Sequence, residues 1–233
     1  MKKNTESIVI PPKIKNLKSQ RAFFIPADTP RRAIKQHLEK KAEKKHKFLF
    51  SHLYKLKNKV VLLGGIGAPA AVLAVEPLVY SGVEEIIVLG FCGGLTEKIN
   101  LFDIFMINTA FSEEGTSSYY IPDKNKWTSS KKLSKEIERI FKSNYMVLEK
   151  ASIVSIDAPY RETKKWLLHK QKMGIELVDM ETSAVFALAE YHHIEAAAVM
   201  VVSDILGPQS HQIGFLETKF NDRIKKILSI FFE

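Results

Sequence analysis

Residues 174–206 read GIELVDMETSAVFALAEYHHIEAAAVMVVSDIL. A short apolar run ends in DMET, SAVFALAEYHH has helical length, and EAAAVMVVSD is a β-branched run ending in an acid. Strand, helix and strand in that order form a right-handed crossover unit, the building block of α/β sheets. The same stretch is among the most apolar in the chain, yet it carries Asp179, Glu181 and Asp204. Carboxylates in a core-forming segment need a reason, because burying an unpaired charge is costly.

The alternation extends outward. RAFFIP (21–26), KVVLLGG (59–65), EEIIVLGFCGG (84–94), FDIFMINTAF (102–111) and MVLEKASIVSI (146–156) read as strands, the second and third of them ending in glycine. TPRRAIKQHLEKKAEK predicts a helix capped by Thr29 with Pro30 in its first turn. APAAVLAVEPLVYSG predicts a second helix, kinked or interrupted at Pro77, and GFLETKFNDRIKKILSIFF a closing amphipathic one. The expected architecture is α/β: a single domain with a mostly parallel central sheet and helices on both faces, over residues 21–233, with residues 1–20 as an extension. In such sheets ligands bind beyond the carboxyl ends of the strands.

Composition narrows the class. A chain of 233 residues with 45% hydrophobic content can bury one large core. No apolar run is long enough to span a membrane and no signal-like segment follows the N terminus, so a soluble, cytoplasmic protein is expected. A lone cysteine, Cys92, excludes an intrachain disulfide and a CxxC metal knuckle, and is expected to be buried and inert. The net charge of +9 comes from lysines mixed with Glu39, Glu43, Glu136 and Glu138 at helical spacing. These are either solvated faces or a surface that gathers anionic ligands. Nucleic-acid recognition motifs are absent, and no nucleic-acid partner, membrane partner or metal is expected.

The strand ends hold the candidate chemistry. GGIGAPA places glycines 64, 65 and 67 between a strand and a helix, either a tight turn or a loop whose amides meet an anion. Asp179 and Glu181 bracket Met180 at a strand–helix junction, either as helix-capping acids or as site acids. Asp204 ends its strand with the same two readings open.

VDMETSA, VVSD, GIGAPAAVLAVEPL, GFCGGL, EEGTSSYYIP and SIDAPYRET together resemble the nucleoside phosphorylase superfamily, which holds purine nucleoside phosphorylases, uridine phosphorylases and methylthioadenosine nucleosidases. The resemblance runs from about residue 21 to residue 232. It implies cleavage of the N-glycosidic bond of a nucleoside, with a purine favoured because an aspartate stands at position 204. It assigns Glu181 to the ribose 2′ and 3′ hydroxyls, with Met180 on the sugar face and Asp179 beside it, and Asp204 to the departing base at N7. Tyr160, Arg161, Glu162 and Asp157 fall in the loop over the base, with Thr116, Ser117 and Tyr119 as further candidates near sugar and base. Arg31, with Arg32 behind it, is the implied phosphate ligand, together with Gly65, Lys47 and the position of Phe91. No cofactor is implied; inorganic phosphate is the co-substrate, and the assembly is a dimer-based homo-oligomer.

The departures concern phosphate. Phosphorylases of this group usually carry an arginine where this chain has Val88 and a serine or threonine where it has Phe91. Three readings stay open: a phosphorylase with a rearranged anion site, a nucleosidase that uses water, and a nucleoside-binding protein with little catalysis.

Overall fold

The computed structural model describes residues 7–17, 19–27, 31–48 and 51–233. In chain order the elements are β1 (Arg21–Ile25), α1 (Arg31–Lys41), β2 (Lys44–Phe48), β3 (Ser51–Leu56), β4 (Lys59–Leu63), α2 (Ala68–Tyr80), β5 (Glu85–Gly94) and β6 (Ile104–Glu113). They continue with α3 (Ser117–Tyr120), β7 (Lys126–Thr128), α4 (Lys131–Ser143), β8 (Glu149–Ile156), a 3-10 turn (Pro159–Arg161), α5 (Lys164–Lys172) and β9 (Leu177–Asp179). The chain closes with α6 (Thr182–Tyr191), β10 (Glu195–Leu206), β11 (His211–Ile213) and α7 (Thr218–Phe232). Thr29 and Pro30, the predicted cap of the first helix, lie outside the described residues.

The fold is α/β, but the expectation of a mostly parallel sheet is corrected. Two parallel sets run in opposite directions: β4, β1, β5 and β10 one way, and β6, β8 and β9 the other. Antiparallel pairings of β10 with β6 and of β5 with β9 join the sets and close β10, β6, β8, β9 and β5 into a mixed five-strand barrel. A β2–β3 hairpin extends the free side from β4, and β7 and β11 add short antiparallel partners. The closure comes from two long strands that change partner along their length. β5 pairs with β1 at its start and turns onto β9 at Gly93 and Gly94. β10 pairs with β5 along most of its length, with a register shift between Val202 and Asp204. Irregularities of this kind bend strands and increase twist, which an open sheet does not need and a closed one does.

Helices cover both faces. α2 and α6 share one core cluster with the sheet, which includes Val75, Leu78, Ala184 and Leu188. α1, α4 and α7 form the other, through Ile34, Leu38, Leu133, Ile137, Phe141, Ile224 and Leu228. α4 shows how the sequence specifies this. Ser130 accepts a hydrogen bond from the Leu133 amide at 3.2 Å to start the helix, and Leu133, Ile137 and Phe141, four apart, fall on the buried stripe. Phe231 and Phe232 turn inward onto Phe23, with ring centroids at 5.4 and 4.9 Å. Each such side chain contributes roughly 1.5–3 kcal/mol by leaving water. α2 runs through Pro77 to Tyr80 without interruption. Proline there falls in the last turn, where it forfeits a single intrahelical bond.

Candidate active site

At the carboxyl ends of β5 and β10, beside the β9–α6 junction, lies a cleft of ≈ 680 Å³. Asp179, Met180, Glu181, Ser203 and Asp204 line it, with Phe91, Cys92 and Gly93 from β5. Tyr160 and Glu162 also contribute, as do Ile66, Leu206, His211 and Phe215. The carboxylates of the opening stretch therefore meet around one hollow.

Each acid is held differently. Asp179 is buried, and its oxygens accept hydrogen bonds from the Ser155 hydroxyl at 2.5 Å, the Thr182 amide at 2.9 Å and the Thr182 hydroxyl. Burial pushes its carboxyl above the ordinary range against the pull of those donors. Its oxygens are thus committed to starting α6, which favours the capping reading for this residue. Glu181 is also buried, and its Oε1 accepts the Gly67 amide at 2.6 Å. Burial, and then the charge of Asp179, push the Glu181 carboxyl well up. Asp204 is less enclosed: Ser203 donates its hydroxyl to Oδ1 at 2.6 Å, and His211 Nε2 lies 2.7 Å from Oδ2. Glu162 is raised to about 7 by burial and then by the Asp204 charge, with His211 opposing.

The backbone makes room for these groups. Gly64, Gly65 and Gly67 all adopt positive φ, a conformation costly for other residues, and so deliver the Gly67 amide to Glu181 at the start of α2. A Cβ on Gly93 would lie 2.7 Å from Leu206 Cδ1 and 3.3 Å from Asp204 Oδ2. Glycine at that position sets the approach of β5 to the acid. Cys92 is buried and its thiol is pushed well above its ordinary range by burial and then by Asp179 and Asp204, consistent with an inert side chain.

Other predicted positions are dispersed. Tyr160 is fully exposed at the cleft edge. Arg161 is exposed on the 3-10 turn and Asp157 accepts the Gly115 amide at 2.9 Å; neither lines the cleft. Ser117 turns inward onto Glu114, and Tyr119 is exposed, and neither lines the cleft with Thr116. Lys47 is exposed on β2, the outermost strand of its side, away from the lining residues. Gly65 is buried behind the loop. Arg31 opens α1, and its side chain lies outside the described residues, while Arg32 is exposed. Val88 is fully buried in the core of β5, and Phe91 packs edge-on to Phe220 at 5.3 Å.

Two features went unread in the sequence. Glu114 is a buried hub that accepts from the Ser117 and Ser112 hydroxyls, the Thr116 amide and the Ser183 hydroxyl. Burial pushes its carboxyl up, but these donors together hold it below the ordinary range. The strand end SEE followed by GTSS was the available signal. The second is His211, seven residues after Asp204 across a GPQS turn that marks a hairpin.

A family model described as the phosphorylase superfamily matches residues 24–233. A guanosine phosphorylase from Halorubrum lacusprofundi is 32% identical over 145 residues, covering 59% of this chain and 57% of that protein. A purine nucleoside phosphorylase of DeoD type from Streptococcus gordonii is 28% identical over 172 residues, 70% of each chain. The crystal structure of purine nucleoside phosphorylase from Toxoplasma gondii in complex with immucillin-H shares the fold, with a TM-score of 0.78 over 97% of this chain and 95% of that one, at 20% identity. With the match running from β1 to the end of α7, the chain belongs to the phosphorylase superfamily.

Proposed function

We propose that this chain is a purine nucleoside phosphorylase: with inorganic phosphate as co-substrate and no cofactor, it converts a purine nucleoside to free base and ribose 1-phosphate. The observation that carries this reading is the opening of Glu181 and Asp204 into one cleft at the carboxyl ends of β5 and β10. The names of the Halorubrum and Streptococcus relatives support it.

The chemistry follows from the environments. Breaking an N-glycosidic bond develops positive charge on the ribose. A buried carboxylate whose own charge is disfavoured gains most when that positive charge appears beside it, so Glu181 binds the transition state more tightly than the nucleoside. In this reading Glu181 accepts from the 2′ and 3′ hydroxyls, Met180 packs on the sugar, and Tyr160 covers the base. Asp179 holds the turn that aims Glu181. Asp204 gives a proton to N7, so that the base leaves neutral.

Phosphate enters next to the ribose, held by Arg31 and the amides of the glycine loop. Arg31→Ala then raises the phosphate KM by roughly ten- to a hundredfold, the loss of one charge-assisted hydrogen bond, and leaves the nucleoside KM nearly unchanged. One observation favours a second reading, the nucleosidase. Among the described residues, Lys164 and His211 are the basic side chains that line the cleft, and position 88 offers core rather than cation.

Incubation with inosine, guanosine, adenosine, methylthioadenosine and uridine, with and without phosphate, separates the readings. Base release that requires phosphate, from purines first, is the expected result. Release regardless of phosphate selects the nucleosidase, and thermal stabilisation by a nucleoside without release selects a binding protein.

We further place the protein in the cytoplasm as a dimer-based homo-oligomer. Among the described residues no helix is long and apolar enough to cross a membrane. Ile66 in the loop before α2, which lines the cleft, and Leu73 on α2 remain exposed and suit a subunit contact.

A further inference from the structure

β10 does not stop at its acid. Past Leu206, Gly207 donates its amide to the Ser210 carbonyl at 2.8 Å, the chain reverses, and β11 pairs back with Asp204 opposite Ile213 and Leu206 opposite His211. The hairpin returns an imidazole to the acid, with His211 Nε2 at 2.7 Å from Asp204 Oδ2, while the other oxygen is held by Ser203. The two side chains differ in access: that of His211 is 53% exposed and that of Asp204 18%. Both line the cleft, and the His211 end is the more open to water.

A carboxylate that must protonate a leaving base has to be reloaded after each turnover, and a partly enclosed one reloads through a neighbour. We propose that His211 is the positioning residue that loads Asp204 with the proton delivered to the base. This inference rests on the reading of Asp204 as the acid at N7. His211 passes its Nε2 proton to Oδ2, leaving a neutral imidazole and a carboxylic acid. As the C1′–N9 bond breaks, its electron pair stays with the purine and N7 takes that proton from Asp204. Forming the C1′–O bond releases one proton from phosphate to water, and water returns one to the exposed imidazole, so the balance closes.

Other titratable groups face the pair across the cleft. Glu162 from the turn before α5 and Asp204 from β10 are the acids that act on each other here, and Asp179 and Glu181 line the same cleft. Against these acids stands Lys164 at the start of α5. Glu162 is raised to about 7 by burial and then by Asp204, with His211 opposing.

The test compares wild type, His211→Ala and His211→Gln on guanosine and on 7-methylguanosine, at saturating phosphate and across pH. The methylated base already carries positive charge and has no free N7, so it departs without an acid. Glutamine keeps a donor for Asp204 but has no proton to pass on. Both variants are expected to lose roughly 10- to 100-fold in kcat on guanosine and less than about threefold on the methylated nucleoside. The pH profile of guanosine turnover is expected to differ between wild type and both variants, while that of the methylated nucleoside stays the same. Wild-type rates in His211→Gln reduce the residue to a hydrogen-bonding support and overturn the proposal, as do equal losses on the two nucleosides. A wild type that cleaves neither nucleoside overturns the reading of the cleft as well, whereas an active wild type with unaffected variants overturns this inference alone.

Discussion

Gly67 donates its backbone amide to Glu181 Oε1 across 2.6 Å, tying the start of α2 to the start of α6. The glycine loop that suits an external anion thus receives a carboxylate from its own chain. Glu181→Gln keeps an oxygen for that amide and removes the charge. Turnover is expected to fall by roughly 100-fold or more, the scale of losing one preorganised electrostatic contact. Stability moves the other way. Because burial and then Asp179 raise the native carboxyl, wild-type stability declines as pH rises from the ordinary carboxylate range through that raised value, and glutamine removes the decline. Calorimetry at about pH 8 should give the variant the higher Tm; a lower one, or wild-type turnover, contradicts this account.

Asp179 lines the cleft with its oxygens taken up by donors of its own chain. Removing it leaves the Ser155 hydroxyl and the Thr182 amide and hydroxyl without their acceptor in a buried place. Asp179→Ala should cost about 1–3 kcal/mol for a buried donor left unpaired, visible as a lowered denaturation midpoint, and Asp179→Asn less. Full stability in the alanine variant would return this residue to the ribose.

Glu162 sets a pH window. Its folded value of about 7 stands above the ordinary glutamate range near 4.5, so its contribution is fully present below about 4.5 and lost as pH rises to about 7. Melting curves of wild type and Glu162→Gln should open a gap over that interval, with the variant more stable at about pH 8. The gap is expected to be a few degrees, since about 1 kcal/mol moves Tm by 2–4 °C in a chain of this length. A constant gap across pH would place the titration elsewhere.

At Gly93 a single methyl meets Leu206, Val178 and Asp204 at 2.7, 3.0 and 3.3 Å. Gly93→Ala should destabilise by about 1–3 kcal/mol and displace the acid, lowering kcat more than it raises the nucleoside KM. Unchanged kinetics would show that Asp204 has slack.

Asp204→Asn separates acid from scaffold. The loss should be larger on purine than on pyrimidine nucleosides, roughly 100-fold against a few-fold, because only the purine presents N7. Equal losses would make Asp204 a fixture of the β10–β11 hairpin alone.

The layered α/β plan was legible in the sequence because apolar, β-branched runs such as those of β4 and β5 alternate with helical spacing, and because α4 and α7 carry apolar residues on one stripe. The closed barrel was not, since the partner changes along β5 and β10 depend on pairings between segments remote in sequence. Lys44–Phe48 hid as a strand: KKHKF is an exposed edge with no apolar alternation. Glu181 and Asp204 stood out as acids in apolar surroundings, and both line the cleft. Asp179 showed the same pattern and has its oxygens bound by Ser155 and Thr182, which spacing alone cannot distinguish. Lys47 and Arg161 are implied by the resemblance, and their exposure away from the cleft depends on where β2 and the 3-10 turn fall in space.

The most direct measurement follows guanosine and inorganic phosphate together by phosphorus NMR with wild type and Glu181→Gln. One equivalent of ribose 1-phosphate for each guanine released by the wild type, and about a hundredth of that rate or less in the variant, is the predicted result. Guanine released with free ribose and no phosphate consumed, or equal rates in the two proteins, would contradict it.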